Sequence, residues 1–152
     1  MKFRYKKFLL PERSALFGSS LLKPILPVEI AYGAASVRYE ALVDSGADFS
    51  IFDAEIGEYL GLDVRAGTPL AFGGIQERGG ATAYIHEVRL RIGGHAHTVP
   101  VGFSPDIATQ GFGVLGQKGF FDLFVVKFDL QKEEIELKIR ALTRNRTPLP
   151  RA

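Results

Sequence analysis

The chain has 152 residues, 46% hydrophobic and 24% charged, which suits one globular domain and excludes a disordered chain. It has no cysteine, so disulfides, thiol catalysis and cysteine-based zinc sites are ruled out. A formal net charge of +2 is too small to imply a nucleic-acid partner, even though Lys138, Arg140, Arg144, Arg146 and Arg151 follow the last acidic residue, Glu136.

Taken in chain order, residues 1–23 read as an N-terminal arm, with a short strand from Phe3 to Leu10 and a loop at Gly18-Ser19-Ser20. Its apolar part is interrupted by Pro11, Glu12 and Arg13, which argues against a signal peptide. No stretch is apolar for long enough to span a bilayer, so the expectation is a cytoplasmic protein with no membrane partner. From Pro24 the pattern sharpens. Val28, Ile30 and Tyr32 alternate with Glu29 and Ala31, the period of a half-buried strand. Gly33-Ala34-Ala35 turns the chain into a second strand, Val37 to Val43, whose end Ala41-Leu42-Val43 is continuously apolar, as in a strand entering a core.

Asp44-Ser45-Gly46-Ala47-Asp48 follows as a polar turn, then the apolar Phe49-Ser50-Ile51-Phe52. Asp53 is placed to cap a helix from Ala54 to Leu60, ended by Gly61. Leu70 to Phe72 runs into two glycine pairs, Gly73-Gly74 and Gly79-Gly80. Tyr84, His86, Val88 and Leu90 alternate with charged or opposite-face residues, a clear strand. Gly93-Gly94 turns it into another strand, His95 to Phe103, which Pro100 assigns to an edge or bulge. Phe112 to Gly116 is an apolar, glycine-punctuated run, and Gln117 to Leu123 is read as a short helix. Phe124 to Asp129 and Glu134 to Ile139 form a hairpin around Leu130 to Glu133. No repeat and no βαβ rhythm is present, so a parallel α/β sheet is not expected.

The informative segment is Ala41 to Ala47. An aspartate directly after a buried strand, in a tight Ser-Gly turn, is held at the edge of a core, where neighbours tune its acidity. Asp-Ser-Gly alone is a common turn. With its apolar strand and the continuation Phe49 to Phe52, it resembles the active-site loop of retropepsin-like (retroviral-type) aspartic proteases, whose signature is D-[ST]-G-A. Two more segments fall in that family's order. Phe72-Gly73-Gly74-Ile75 resembles the glycine-rich flap, and Val114-Leu115-Gly116 resembles the apolar-Leu-Gly segment near the end of the fold. The resemblance spans roughly Pro24 to Lys138 and points to a single-domain member of bacterial type.

What the resemblance implies is an all-β fold, a closed β-barrel of the retropepsin (acid protease) type with one or two short helices, acting as a homodimer. Its protease domain would occupy residues 24–139, followed by a basic tail at 140–152. Asp44 would be catalytic. A pair of close carboxylates shares one proton, so one acts as general base on water while the other polarises the scissile carbonyl. The chain has one D-[ST]-G and is too short for two lobes, so the second Asp44 would come from a second copy related by two-fold symmetry. Ser45 would brace the paired loops, Gly46 would let the turn bend, and Ala47 would leave room for substrate. Phe72, Gly73, Gly74 and Ile75 would form the flap, with Gly79-Gly80 as the other possible tip, and Val114, Leu115 and Gly116 the pocket wall. No cofactor or metal is implied; the partners are a second copy and a peptide or protein substrate.

Other residues carry weaker signals. Asp48 is expected to face solvent or bind local amides. His95 and His97 project from one face of a strand, but no third metal ligand follows, and two surface histidines are the plainer reading. His86 shares a face with Val88 and Leu90 and reads as a satisfied, half-buried side chain. Gly73-Gly74 lacks the Lys-Ser/Thr of a phosphate cradle. Two other readings remain at this point: a non-catalytic dimerisation or peptide-binding module of the same fold, and a basic-tailed barrel that binds nucleic acid in a salt-dependent way.

Overall fold

The computed structural model describes residues 1–73 and 80–141, with the backbone alone at 108–110. Twelve strands and one short helix make up the described part. They are β1 (Lys2–Arg4), β2 (Lys6–Ser14), β3 (Gly18–Lys23), β4 (Ile25–Tyr32), β5 (Ala35–Val43) and β6 (Ile51–Asp53), then α1 (Ala54–Tyr59). After it come β7 (Thr68–Phe72), β8 (Ala81–Ile92), β9 (His95–Ser104), β10 (Gly113–Leu115), β11 (Phe124–Asp129) and β12 (Glu134–Ile139). Two 3-10 turns, Val64–Ala66 and Pro105–Gln110, complete the elements. The fold is all-β. Among the described residues no helix is long and apolar enough to cross a membrane.

Six strands close on themselves in the order β4-β5-β10-β6-β9-β8, and the pairing Ile30↔Leu90 joins the last back to the first. The alternation read from the sequence sets which way these strands face. Leu26, Val28 and Ile30 of β4 point inward and are buried, while Pro27 is exposed. Val88, Leu90 and Ile92 do the same on β8. Gly93 and Gly94 both take positive φ, 55° and 84°, as a two-residue hairpin turn between right-twisted strands requires. Phe52, Phe103, Phe120 and Phe124 fill the interior. Pro100 lies in the part of β9 that pairs with β8 alone, before the ladder to β6 begins at Gly102, so its missing N–H breaks no bond.

The remaining strands close one end and extend another. β1-β12-β11 form a three-stranded sheet whose Ile135 and Leu137 enter the core. β7 pairs with the first half of β8, so this hairpin leaves the barrel wall. Asp53 caps α1 through its carboxylate, which accepts from the Glu55 N–H at 2.9 Å, and Gly61 follows at φ 86°.

Three expectations differ from the structure. The strand read from Phe3 to Leu10 is two, β1 and β2, which part at Tyr5 because β1 pairs with β12 and β2 with β3. The stretch Gln117 to Leu123 is a run of turns, not a helix. Gly119 takes φ 89°, outside helical space, and the carbonyls of Gly116 and Gln117 accept from Phe121 and Asp122, five residues on, so no regular ladder forms. In the N-terminal arm, Gly18-Ser19-Ser20 belongs to β3, not to a loop; the turn is Ala15 to Phe17.

Candidate active site

β5 delivers the buried Val43 to the barrel rim, and the chain turns at once. The Asp44 N–H donates to the Leu115 carbonyl at 3.0 Å, and the Ala47 N–H donates back to the Asp44 carbonyl at 3.2 Å. Within this turn the Asp44 Oδ1 accepts from the Gly46 N–H at 2.9 Å. The carboxylate is therefore oriented by its own loop, while the side chain stays exposed. An aspartate that accepts from the amide two residues ahead is a self-bracing turn.

A second segment pins the loop from behind. β10 runs parallel to β5, with Val114 opposite Leu42, and antiparallel to β6, with Val114 opposite Ile51. Beyond it, the Gln117 N–H donates to Ala47 O at 2.8 Å and the Lys118 N–H to Asp48 O at 3.0 Å. The Gln117 side-chain amide donates to Ser45 O at 3.2 Å. Gly116 passes so close that a Cβ there would overlap the Phe49 carbonyl and stand 2.8 Å from that of Ala47. Only glycine permits that approach.

Ser50 ties the two segments together. It is fully buried, and its hydroxyl donates to Lys118 O and accepts from the Gly116 N–H, both at 3.1 Å. Sequence reasoning passed over it as part of an apolar continuation. The available signal was a lone hydroxyl inside Phe49-Ser50-Ile51-Phe52, where a buried polar group must find partners.

In front of the loop lies a cleft of about 480 Å³. Asp44 and Asp48 stand at its acidic side, with Gly46 and Ala47 between them. Phe49, Ile51, Ile107 and Val114 give it an apolar wall facing the two carboxylates. Leu70, Phe72 and Gly73 come from the β7–β8 hairpin, and Phe72 meets Phe49 edge to face at 6.0 Å. A pocket of this size, with an apolar wall and convergent polar groups, is of the kind that holds a ligand.

The structure thus brings Asp44, Gly46, Ala47, Phe72, Gly73 and Val114 onto one cleft. Ser45 is exposed on the same loop. Leu115 faces the core and Gly116 lies beneath the loop, so of those three neighbours Val114 alone lines the cleft. Gly74, Ile75 and Gly79 lie outside the described residues.

A family model described as aspartyl protease matches residues 26–118, from the start of the barrel through the segment that pins the Asp44 loop. The chain belongs to the aspartyl protease family. The aspartyl protease family expected from the Asp44 to Ala47 loop is thus the family of this chain. Among solved structures, the EIAV protease complexed with the inhibitor HBY-793 is similar at 18% identity, covering 70% of this chain and 88% of that one, with a TM-score of 0.44. No curated protein sequence matches the chain.

The histidines stand apart from this site. The His86 Nε2 lies 2.8 Å from the Val64 carbonyl, and its ring meets Phe103 edge-on at 6.0 Å, a satisfied half-buried histidine. His95 is exposed and His97 is half-buried. Its ring stands edge-on to Phe124 at 5.7 Å, and its Nε2 is buried with no partner among the described residues.

Proposed function

We propose that this member of the aspartyl protease family is an aspartic endopeptidase that works as a homodimer, each copy supplying one Asp44. The observation that carries this reading is the placement of Asp44. It is exposed, aimed by the Gly46 N–H and anchored through its own N–H to the Leu115 carbonyl, in a loop whose Ala47 and Ser45 carbonyls accept from Gln117, at one side of a cleft with an apolar wall. Each chain has one D-S-G-A loop, so a second copy would complete the pair of carboxylates. One shared proton would then let one Asp44 draw a proton from the attacking water while the other donates to the scissile carbonyl oxygen.

The substrate in this reading is an extended peptide, held by β-type backbone hydrogen bonds beneath the hairpin that begins with β7. Phe72, Val114 and Ile107 favour apolar side chains flanking the cut. The test is cleavage of apolar peptide libraries by the wild type and by Asp44→Asn. The substitution keeps shape and hydrogen bonding but removes the charge, and should lower kcat/KM by about a thousandfold or more. Equal cleavage by both proteins would refute the assignment.

A further inference from the structure

The β7–β8 hairpin reaches over the cleft, yet part of it has no strand beside it. β8 pairs with β9 as far as Tyr84↔Phe103. Two residues further along the same register, Thr82 would stand opposite Pro105. Proline has no N–H to donate, and the chain turns away there into the 3-10 turn Pro105–Gln110. The ladder must stop, leaving the Thr82 N–H and carbonyl without backbone partners on that side.

The two residues flanking the proline supply what it lacks. The Ser104 hydroxyl donates to the Thr82 carbonyl at 2.7 Å, and the Asp106 Oδ2 accepts from the Thr82 N–H at 3.2 Å. Ser104 is fully buried, and its oxygen also accepts from the Asp106 N–H at 3.2 Å, which closes the motif on itself. Both flanks of the latch touch the cleft. Ile107, the next residue, packs in one buried cluster with Ala83, the neighbour of Thr82, and with Ile51. One pair along from Thr82, Phe72 opposes Ala81 and lines the cleft.

We propose that Ser104 and Asp106 are positioning residues that latch the stem of this hairpin to the cleft wall, and so set the flap's height over an extended peptide. The proposal rests on the protease reading above for its kinetic consequence, but not for the latch itself. Without the latch the stem pivots where it leaves β9 at Tyr84, and binding substrate must order it. KM then rises more than kcat falls.

The test uses the full-length protein with Asp106→Ala, Asp106→Asn and Ser104→Ala. KM and kcat are measured on an apolar peptide, and amide exchange is followed over residues 68–85. Asp106→Ala should raise KM about tenfold, the worth of one hydrogen bond to a charged acceptor, with kcat changed less than about twofold. Asp106→Asn keeps a side-chain oxygen to accept from Thr82 and should return KM to near the wild-type value. Ser104→Ala should raise KM in the same way. Exchange across Thr82 should quicken about tenfold in Asp106→Ala and stay near wild type in Asp106→Asn. Unchanged exchange in Asp106→Ala, or an Asn variant as impaired as the Ala variant, overturns the latch. A wild type that cleaves no peptide refutes the protease reading instead, and the exchange measurement still decides the latch.

Discussion

Replacing Ser50 by alanine isolates the contact that joins the Asp44 loop to the segment behind it. In the native protein the hydroxyl serves two backbone groups, Lys118 O and Gly116 N–H, at 3.1 Å each. They do not suffer equally. Lys118 O keeps a second donor, the Ser50 N–H at 2.9 Å, whereas the buried Gly116 N–H loses its acceptor. An orphaned buried donor costs about 1–3 kcal/mol, and the missing oxygen leaves a void too small to repair it. A loss of about 2 kcal/mol in a domain of this size lowers Tm by roughly 4–8 °C. Because Gly116 leads into the amides that hold Ala47 and Asp48, the loop should also sit less accurately and kcat fall by about tenfold or more. Calorimetry together with a peptide-cleavage assay reads both effects. A Tm within about 1 °C of wild type, with full activity, would show that the hydroxyl does not brace the loop.

Other substitutions probe separate parts of the account. Gly116→Ala drives a methyl into two backbone carbonyls and should cost about 1–3 kcal/mol while disabling cleavage, since the Asp44 loop itself must move. Phe103→Ala empties a fully buried site beside Phe52 and His86 and should cost about 3–5 kcal/mol by urea denaturation. At the closing sheet, the hydrogen bond from Lys2, then its charge, holds the Glu134 carboxyl below its ordinary range, and Glu134 raises Lys2 in return. The Glu134 contribution is present above the ordinary glutamate range and is lost as pH falls through its lowered value. That of Lys2 is present below the ordinary lysine value and is lost as pH rises through the raised one. Lys2 is exposed and Glu134 half-buried at the surface, where solvent screens the pair, so Glu134→Gln should shift Tm at neutral pH by no more than about 2 °C.

Much of the barrel is legible in the sequence because its strands are half-buried and alternate with period two. Val28 and Ile30, Val88 and Leu90, the Gly93-Gly94 turn and the Asp53 cap all carry local signals that tertiary packing leaves intact. The turns from Gln117 to Leu123 are hidden because their backbone groups are spent on Ala47, Asp48 and Ser50, residues nearly 70 positions away. The same distance effect conceals β1, which pairs with β12 at the far end of the chain. The β2–β3 hairpin has a register break between Leu9 and Ser14, so no steady alternation marks it. For the site, Asp44 to Ala47 announces itself through the apolar strand before it. Ser50, Gln117, Ser104 and Asp106 matter only through partners that the fold brings near.

The central claim is that two identical chains share one catalytic centre, and mixing tests it most directly. Asp44→Asn protein is added in excess to a fixed amount of wild type, after exchange of subunits, and cleavage per wild-type chain is measured. Random pairing predicts that this specific activity falls in proportion to the wild-type fraction, to about half in an equal mixture. Activity per wild-type chain that stays constant at every ratio would contradict the shared centre.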